Sequence, residues 1–378
     1  MGLLHRHLFA SVAGACVAAV ALFGFVLIAG MGLRDLLGYV MAGQLAPETA
    51  LHLIALLLPY VAVYALPIGL LTAVLLVLGR MSSQQEITAM RAAGLSLGYV
   101  SRPIWVIAGA AVLLSLALNF YVMPQARTAY RATLVEAVRQ NPLNFIVPRT
   151  FVRDFPGYVV YVGDRSGGDL NDFWLWELDS QKRVLSMSRA KSATVTFREE
   201  DSRLVLTLRD VSAETRDRVS PEDFTKPQPV GNSDSMTVEL KLDGLFKQMK
   251  LTQKTNWMTL DQLLARRDAL EAKGAKADAK ETQELTRVKV VLSEKAAASF
   301  AVLAFAFVAV PLGIKVSRKE TSANLGIAVA LVLGYYFLAA LTGMLERSPA
   351  LRPELWVWAP PLAYAAAGVW LFRRVDRA

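Results

Sequence analysis

The chain is poor in the residues on which most active sites depend. Among 378 residues it has one cysteine and three histidines, and its long apolar runs hold almost no charge. Cys16 stands alone inside such a run, so no internal disulfide can form, and any aqueous part must be stable without one. His5, His7 and His52 are not spaced as metal ligands with one another or with Cys16, so no metal site is expected. There is no G-x-x-x-x-G-K-[ST] and no Gly-Lys dipeptide, which excludes a phosphate-cradling loop of that type. No G-x-S-x-G occurs either, and no catalytic cluster is evident. The scarcity of ionisable groups in the apolar runs argues against a proton- or ion-coupled carrier, where such groups mark the pathway.

What is present is apolar length. The chain is 54% hydrophobic and 19% charged, with a mean hydropathy of +0.36. It is too apolar for a soluble enzyme and too polar for a chain made only of membrane spans. Runs long enough to cross a bilayer lie at about 8–31, 51–79, 103–123, 296–316, 324–345 and 355–372. The second contains Pro59 and Pro67 and is expected to kink or tilt. The fold class read from this pattern is an α+β integral membrane protein with three spans, an inserted domain and three more spans. The divisions are 1–123, 124–295 and 296–378. His5-Arg6-His7 before the first run also resembles the start of a signal peptide, but a run closed by Arg34 at this length reads as a retained helix.

The net charge of +9 would point to nucleic acid in a soluble chain. Here its distribution points to membrane orientation instead, and no nucleic-acid partner is expected. With the N-terminus inside, the inner connections hold Arg6, Arg80, Arg91, Arg102, Lys315, Arg318, Lys319, Arg373, Arg374 and Arg377. The short outer connections, leaving the inserted domain aside, hold only Arg34, Arg347 and Arg352. That bias places both termini in the cytoplasm and the inserted domain on the far side.

In the inserted domain the hydrophobic period changes to two. Tyr158–Val162, Phe173–Trp176, 190–197, 204–209 and a stretch near Met236–Leu242 read as strands separated by polar turns, which predicts an antiparallel sandwich or open barrel. From Thr259 the helical period returns. Thr259 and Gln262 form a capping box, Gly274 is placed to end that helix, and the Lys/Glu-rich stretch 276–295 leads as a helix into the fourth span.

Between the second and third spans lies the polar island Gly79–Ser96. Ser83 and Glu86 have the S-x-x-E form of a capping box, and Gly94 is placed to end a helix of about ten residues, roughly 84–93 and about 15 Å long. Ile87, Met90 and Gly94 form one narrow apolar stripe. Such a helix is too short to cross a bilayer and well placed to touch something outside it.

Glu86-Ile-Thr-Ala-Met-Arg-Ala-Ala-Gly94 after Gly79-Arg80, with Val310-Pro-Leu-Gly313 and Leu355-Trp-Val-Trp358, resembles the lipopolysaccharide export (Lpt) permease family, LptF/LptG type. The likeness covers essentially the whole chain, and the Ile-Thr-x-Met and Leu-Trp-x-Trp wording is nearer LptF. It implies an inner-membrane permease subunit of an ATP-binding-cassette exporter that extracts lipopolysaccharide. The implied partners are a cytoplasmic ATPase dimer, a paralogous permease and a periplasmic jellyroll bridge component. The chain itself would be no enzyme and would need no cofactor, ATP being bound by the partner. Glu86, Ile87, Met90, Arg91 and Gly94 would form the coupling helix, although the capping box alone also accounts for Glu86, and anionic lipid headgroups are an alternative partner for Arg91. Arg34 would meet the phosphorylated sugar head; the alternative is an interfacial anchor beside Asp35. The first and fifth spans would line lipid gates, the small residues of the first being equally explained by ordinary packing. The inserted domain would be a periplasmic β-jellyroll lined by Val160, Val162 and Leu206, residues that plain core packing explains equally. A non-transporting envelope scaffold and, less favoured, an integral enzyme acting on lipid heads are the rival readings.

Overall fold

The computed structural model describes residues 2–41, 45–140, 148–153, 157–166, 169–198, 203–217, 221, 223, 225, 228–241, 255–273, 278–315, 321–344 and 352–376. The chain divides into two compact units. One comprises Met1–Arg34, Ile54–Tyr130 and Gln253–Ala378; the other comprises Asp35–Leu53 and Arg131–Thr252.

The first unit is a helical bundle. Among the described residues, six helices are long and apolar enough to cross a membrane, and they match the six runs read from the sequence. In chain order the described helices of the whole chain are α1 (Leu3–Ile28), α2 (Arg34–Met41), α3 (Pro47–Ser83), α4 (Glu86–Ala92), α5 (Leu97–Val100), α6 (Arg102–Ala117), α7 (Met123–Gln140), α8 (Leu260–Glu271), α9 (Ala279–Lys315), α10 (Thr321–Met344), α11 (Pro353–Trp356) and α12 (Ala359–Asp376), of which α2 from Asp35, α3 up to Leu53 and α7 from Arg131 fall in the second unit. The second span, α3, runs on through Pro59 and Pro67 as one element. The second and fourth spans form the centre, with 78% and 72% of their most apolar windows buried, against 11% for the first and fifth. Leu70, Leu71 and Leu75 of α3 meet Val302, Phe305 and Ala309 of α9 in that core.

Close approach of helices sets two glycines. A Cβ at Gly313 would lie 2.9 Å from Leu78 Cβ, and one at Gly368 would lie 2.5 Å from the backbone of Phe307. The sequence reading missed two π-helical segments, Ala29–Leu33 after α1 and Leu118–Val122 between α6 and α7. The second lets the third-span helix continue to Gln140, well past the expected limit at 123. The Thr259–Gln262 capping box is formed, with Thr259 N donating to Gln262 Oε1 at 3.1 Å. Helix α8 packs Leu263 and Leu270 against Val288 and Val291 of α9, and the Arg266–Glu284 pair (2.7 Å) flanks the contact. The Lys/Glu-rich stretch does run into the fourth span as α9. The expected terminator Gly274 lies outside the described residues.

The second unit is built on one six-stranded antiparallel sheet whose neighbours are consecutive: β1 (Phe151–Val152), β2 (Tyr158–Ser166), β3 (Asp169–Leu178), β4 (Val184–Arg198), β5 (Arg203–Thr215) and β6 (Val230–Lys241). The jellyroll-like domain thus takes the form, among the described residues, of an up-and-down sheet. Regular pairing lapses along a single row, Gly163, Asp172, Lys191, Asp210 and Asp234, and resumes beyond it in unchanged register. Asp172 and Asp210 have positive φ, 49° and 52°. At the row the buried positions change phase: Leu170 then Phe173 on β3, Ala190 then Ala193 on β4, Leu208 then Val211 on β5. Each central strand therefore turns two successive residues outward.

A break carried in step across neighbouring strands, with left-handed residues in it, creases the sheet and lets it curl without any slip of register. That accounts for a single sheet burying one face so thoroughly, with Val160, Val162, Leu170, Phe173, Leu206 and Leu208 all at 0% exposure. On the outer face, Asp172 Oδ1 accepts from Trp174 Nε1 (3.0 Å) and from Arg189 Nε (3.2 Å), pinning the crease.

Gly368→Val forces side-chain atoms into the Phe307 backbone and should cost about 1–3 kcal/mol, lowering the melting temperature of the purified chain. Gly326→Val, where a Cβ meets nothing within 4 Å, should not. In the sheet, Asp210→Val should cost about 1–2 kcal/mol, since a β-branched residue resists the left-handed backbone, whereas Asp210→Gly should be nearly neutral. Chemical unfolding followed by tryptophan fluorescence measures both.

Candidate functional site

Two parts of the bundle unit bring polar side chains together, and the polar island is the first. The expected capping box is absent. Helix α3 continues through Ser83, whose hydroxyl donates to Arg80 O at 2.8 Å. A capping serine needs extended backbone and a free hydroxyl oxygen facing the next turn, and Ser83 lies within a helix. Gln85, with φ 61° and ψ 11°, makes the break instead, and no side chain caps α4. The helix is accordingly seven residues long, not ten. Gly94 does end it with φ +83°, and Gly94 N donates to Arg91 O while Leu95 N donates to Met90 O, the paired bonds of a Schellman motif.

The side chains sort into two faces. Glu86, Thr88, Ala89, Ala92 and Gly94 are exposed. Ile87 is buried in the bundle core and Met90 packs against it, so the apolar stripe faces the chain's own helices. Arg91 also turns to its own chain, donating to Val375 O and Asp376 O at the end of α12. Elsewhere, Arg34 is exposed just after the first π-helical segment. Val160, Val162 and Leu206 lie closed to solvent in the sheet core.

The second part is a cavity of about 410 Å³ inside the bundle. One wall is aromatic and apolar, with Tyr60, Tyr64, Phe305, Tyr335 and Tyr336 beside Ala297, Ala298 and Ala301. Polar groups gather where α7 meets the start of the fourth span: Asn119, Arg127, Glu294 and Lys295. The Arg127 guanidinium lies 4.1 Å from the Tyr60 ring centre and 5.8 Å from that of Trp257. Lys295 Nζ donates to Met258 O at 2.7 Å and sits 5.8 Å from the Phe120 ring. The second π-helical segment buries Asn119, which donates to Ser299 Oγ at 3.0 Å; Ser299 in turn donates to Lys295 O.

Two cations against one carboxylate give this rim net positive charge next to apolar walls. That suits an amphiphile with an anionic head. Among the described residues no group of His, Cys, Asp and Glu could hold a metal ion. Sequence reading missed Arg127 and Lys295 because it closed the spans at 123 and 296 and so assigned both to the inserted domain. Their signal was position: each lies within a turn or so of a span end.

Ser83→Ala should leave stability nearly unchanged, within about 0.5 kcal/mol, because no cap is lost. Gly94→Ala should cost about 1–2 kcal/mol by forcing a Cβ into the left-handed region. Thermal unfolding and the rate of proteolysis between residues 80 and 100 report both.

A family model described as "Lipopolysaccharide export system permease LptF/LptG" matches residues 6–374. Comparison with curated proteins gave no match.

Proposed function

The chain belongs to the LptF/LptG family of lipopolysaccharide export permeases, and from that premise we propose how its parts divide the work. The chain is a multi-pass membrane permease. In our reading it is the transmembrane subunit of an ATP-driven exporter in the inner membrane. A cytoplasmic ATPase dimer supplies the energy, a paralogous permease faces it, and a periplasmic jellyroll component receives the lipid. The excess of Lys and Arg in one set of connections supports cytoplasmic termini and a periplasmic sheet domain. The Ile-Thr-x-Met and Leu-Trp-x-Trp segments favour the LptF side of the family.

The observation that carries the reading is the cavity, whose aromatic and apolar walls are joined by two cations, Arg127 against the Tyr60 ring and Lys295. Phosphate groups on the sugar head pair with the two cations, and acyl chains lie along Ala297, Ala301 and the tyrosines. The first and fifth spans, largely uncovered by their own chain, are free to face the paralogous permease and to admit lipid between the subunits. Acyl chains then pass to the sheet, whose core residues Val160, Val162 and Leu206 become a lining when the sheet opens. Arg34 makes an outer contact with the head. At the opposite end the ATPase takes hold of the exposed face of α4, with Glu86 as its polar contact.

Lipopolysaccharide retained by the complex purified from membranes tests the cavity. Arg127→Glu with Lys295→Glu should cut retained lipid about tenfold or more, each charge-assisted contact being worth about 1.5–3 kcal/mol, while Lys295→Arg should retain it. Unchanged retention would refute the site. Glu86→Lys should lose co-purifying ATPase; a chain that never brings down an ATPase would instead be the scaffold.

A further inference from the structure

The bundle carries another polar construction, distant from the cavity. At one end of the spans, side chains close hydrogen bonds onto backbone carbonyls of a different element. Ser82 Oγ, in the last turn of α3, donates to Ile314 O in the last turn of α9 at 2.7 Å. Arg91 of α4 donates from Nη1 to Val375 O (3.5 Å) and from Nη2 to Asp376 O (3.3 Å), the last two residues of α12. His5, at the start of α1, lies with Nε2 3.0 Å from Tyr99 O in α5. A carbonyl only accepts, so Nε2 carries the proton. The His5 and Tyr99 rings also pack at 4.5 Å, and Ser82 and His5 are both buried.

The final carbonyls of a helix have no partner within it, and a donor from another element both satisfies them and fixes the helix end. Here three such ties converge on one short stretch. They join it to the first, fourth and sixth spans, and Ile87 anchors its middle in the core. A bond to backbone moves the helix itself, without the slack of a second side chain.

We propose that Ser82, Arg91 and His5 are positioning residues that make the segment Ser82–Tyr99 a transmission hub. Displacement of α4 thereby reaches the ends of the first, fourth and sixth spans together. The proposal rests on reading α4 as the ATPase contact. It gives Arg91 a task different from the one its place in the motif implied: it holds the sixth span and not the motor.

The full complex in lipid nanodiscs tests the hub. ATPase bound per permease, ATP hydrolysis and lipopolysaccharide released to an acceptor are measured for Ser82→Ala, Arg91→Ala, the double variant and Arg91→Lys. The double variant should keep its ATPase and lose release per ATP hydrolysed by about fivefold or more, the lower range of a coupling between sites. Arg91→Lys should recover part of the loss. A purely structural role would lower the yield of complex but leave release per ATP unchanged, and that result overturns the hub. Loss of bound ATPase from Arg91→Ala would also overturn it, by placing Arg91 on the motor. A second measurement needs no motor. Spin labels at Ala92 and Arg373 of the full chain should give a narrow distance distribution that broadens in Arg91→Ala; an unchanged distribution overturns the tie. A wild-type complex without ATPase, with the spin-label result as expected, would count against the exporter reading alone.

Discussion

In hydrocarbon a backbone N–H or C=O has no water to turn to, so a spanning segment must satisfy its own polar groups, as a helix does everywhere except at its ends. Much of the specific polar chemistry of this bundle follows from that exception. At one end, Ser82, Arg91 and His5 answer to carbonyls where helices finish or turn. Toward the other, the π-helical segment Leu118–Val122 widens the third span and turns Asn119 inward, where it bonds Ser299 beside Lys295. Between the two ends the helices meet mainly through aliphatic and aromatic packing, at a distance that Gly368 permits, and Gly313 lets α9 approach α3 just before the Ser82–Ile314 bond.

The same constraint explains which parts of the chain were legible. Six spans could be read because length and hydropathy are what a bilayer demands. Their ends could not, because a helix can carry its charges a turn or more beyond the apolar run. Arg127 and Lys295 fall in that margin, so the cavity's cations were placed in the wrong domain. The Ser83–Glu86 box failed for a related reason. Its pattern is local, whereas α3 is held through Ser82 by the core around Met81 and by the bond to Ile314, and that tertiary contact carries the helix one residue beyond. The box at Thr259–Gln262 starts a helix after a chain turn, with no longer helix to override it, and it formed.

In the sheet, five of the six strands are legible in the sequence but their limits are not, and the two-residue β1 escapes it. The reading began one strand at Phe173 and ended another at 209, and both limits fall at the crease. Asn171-Asp172, Lys191-Ser192 and Arg209-Asp210 break the alternation of apolar and polar residues. A break in one strand is indistinguishable from its end. Only the coincidence of breaks on neighbouring strands, which needs the register, marks a fold line. Because neighbouring central strands carry the same extra outward residue, the ladders stay in step and the curl costs no slip of pairing.

The crease and the hub meet one physical demand, that a packed object must move without unpacking. Close-packed cores shift between discrete arrangements and do not deform continuously. In the bundle, α3 and α9 are the covered centre, while the first and fifth spans present most of their surface outward. The hub grips the centre through Ile314 and the periphery through His5 and the sixth span, so the helices it joins can shift as bodies while their interiors stay intact. In the sheet, pairing already lapses along one row, and a change of curvature there breaks no further ladder bond. Each unit thus puts its polar fastenings at a boundary between packed parts: at helix ends in the one, and along a row of outward residues in the other.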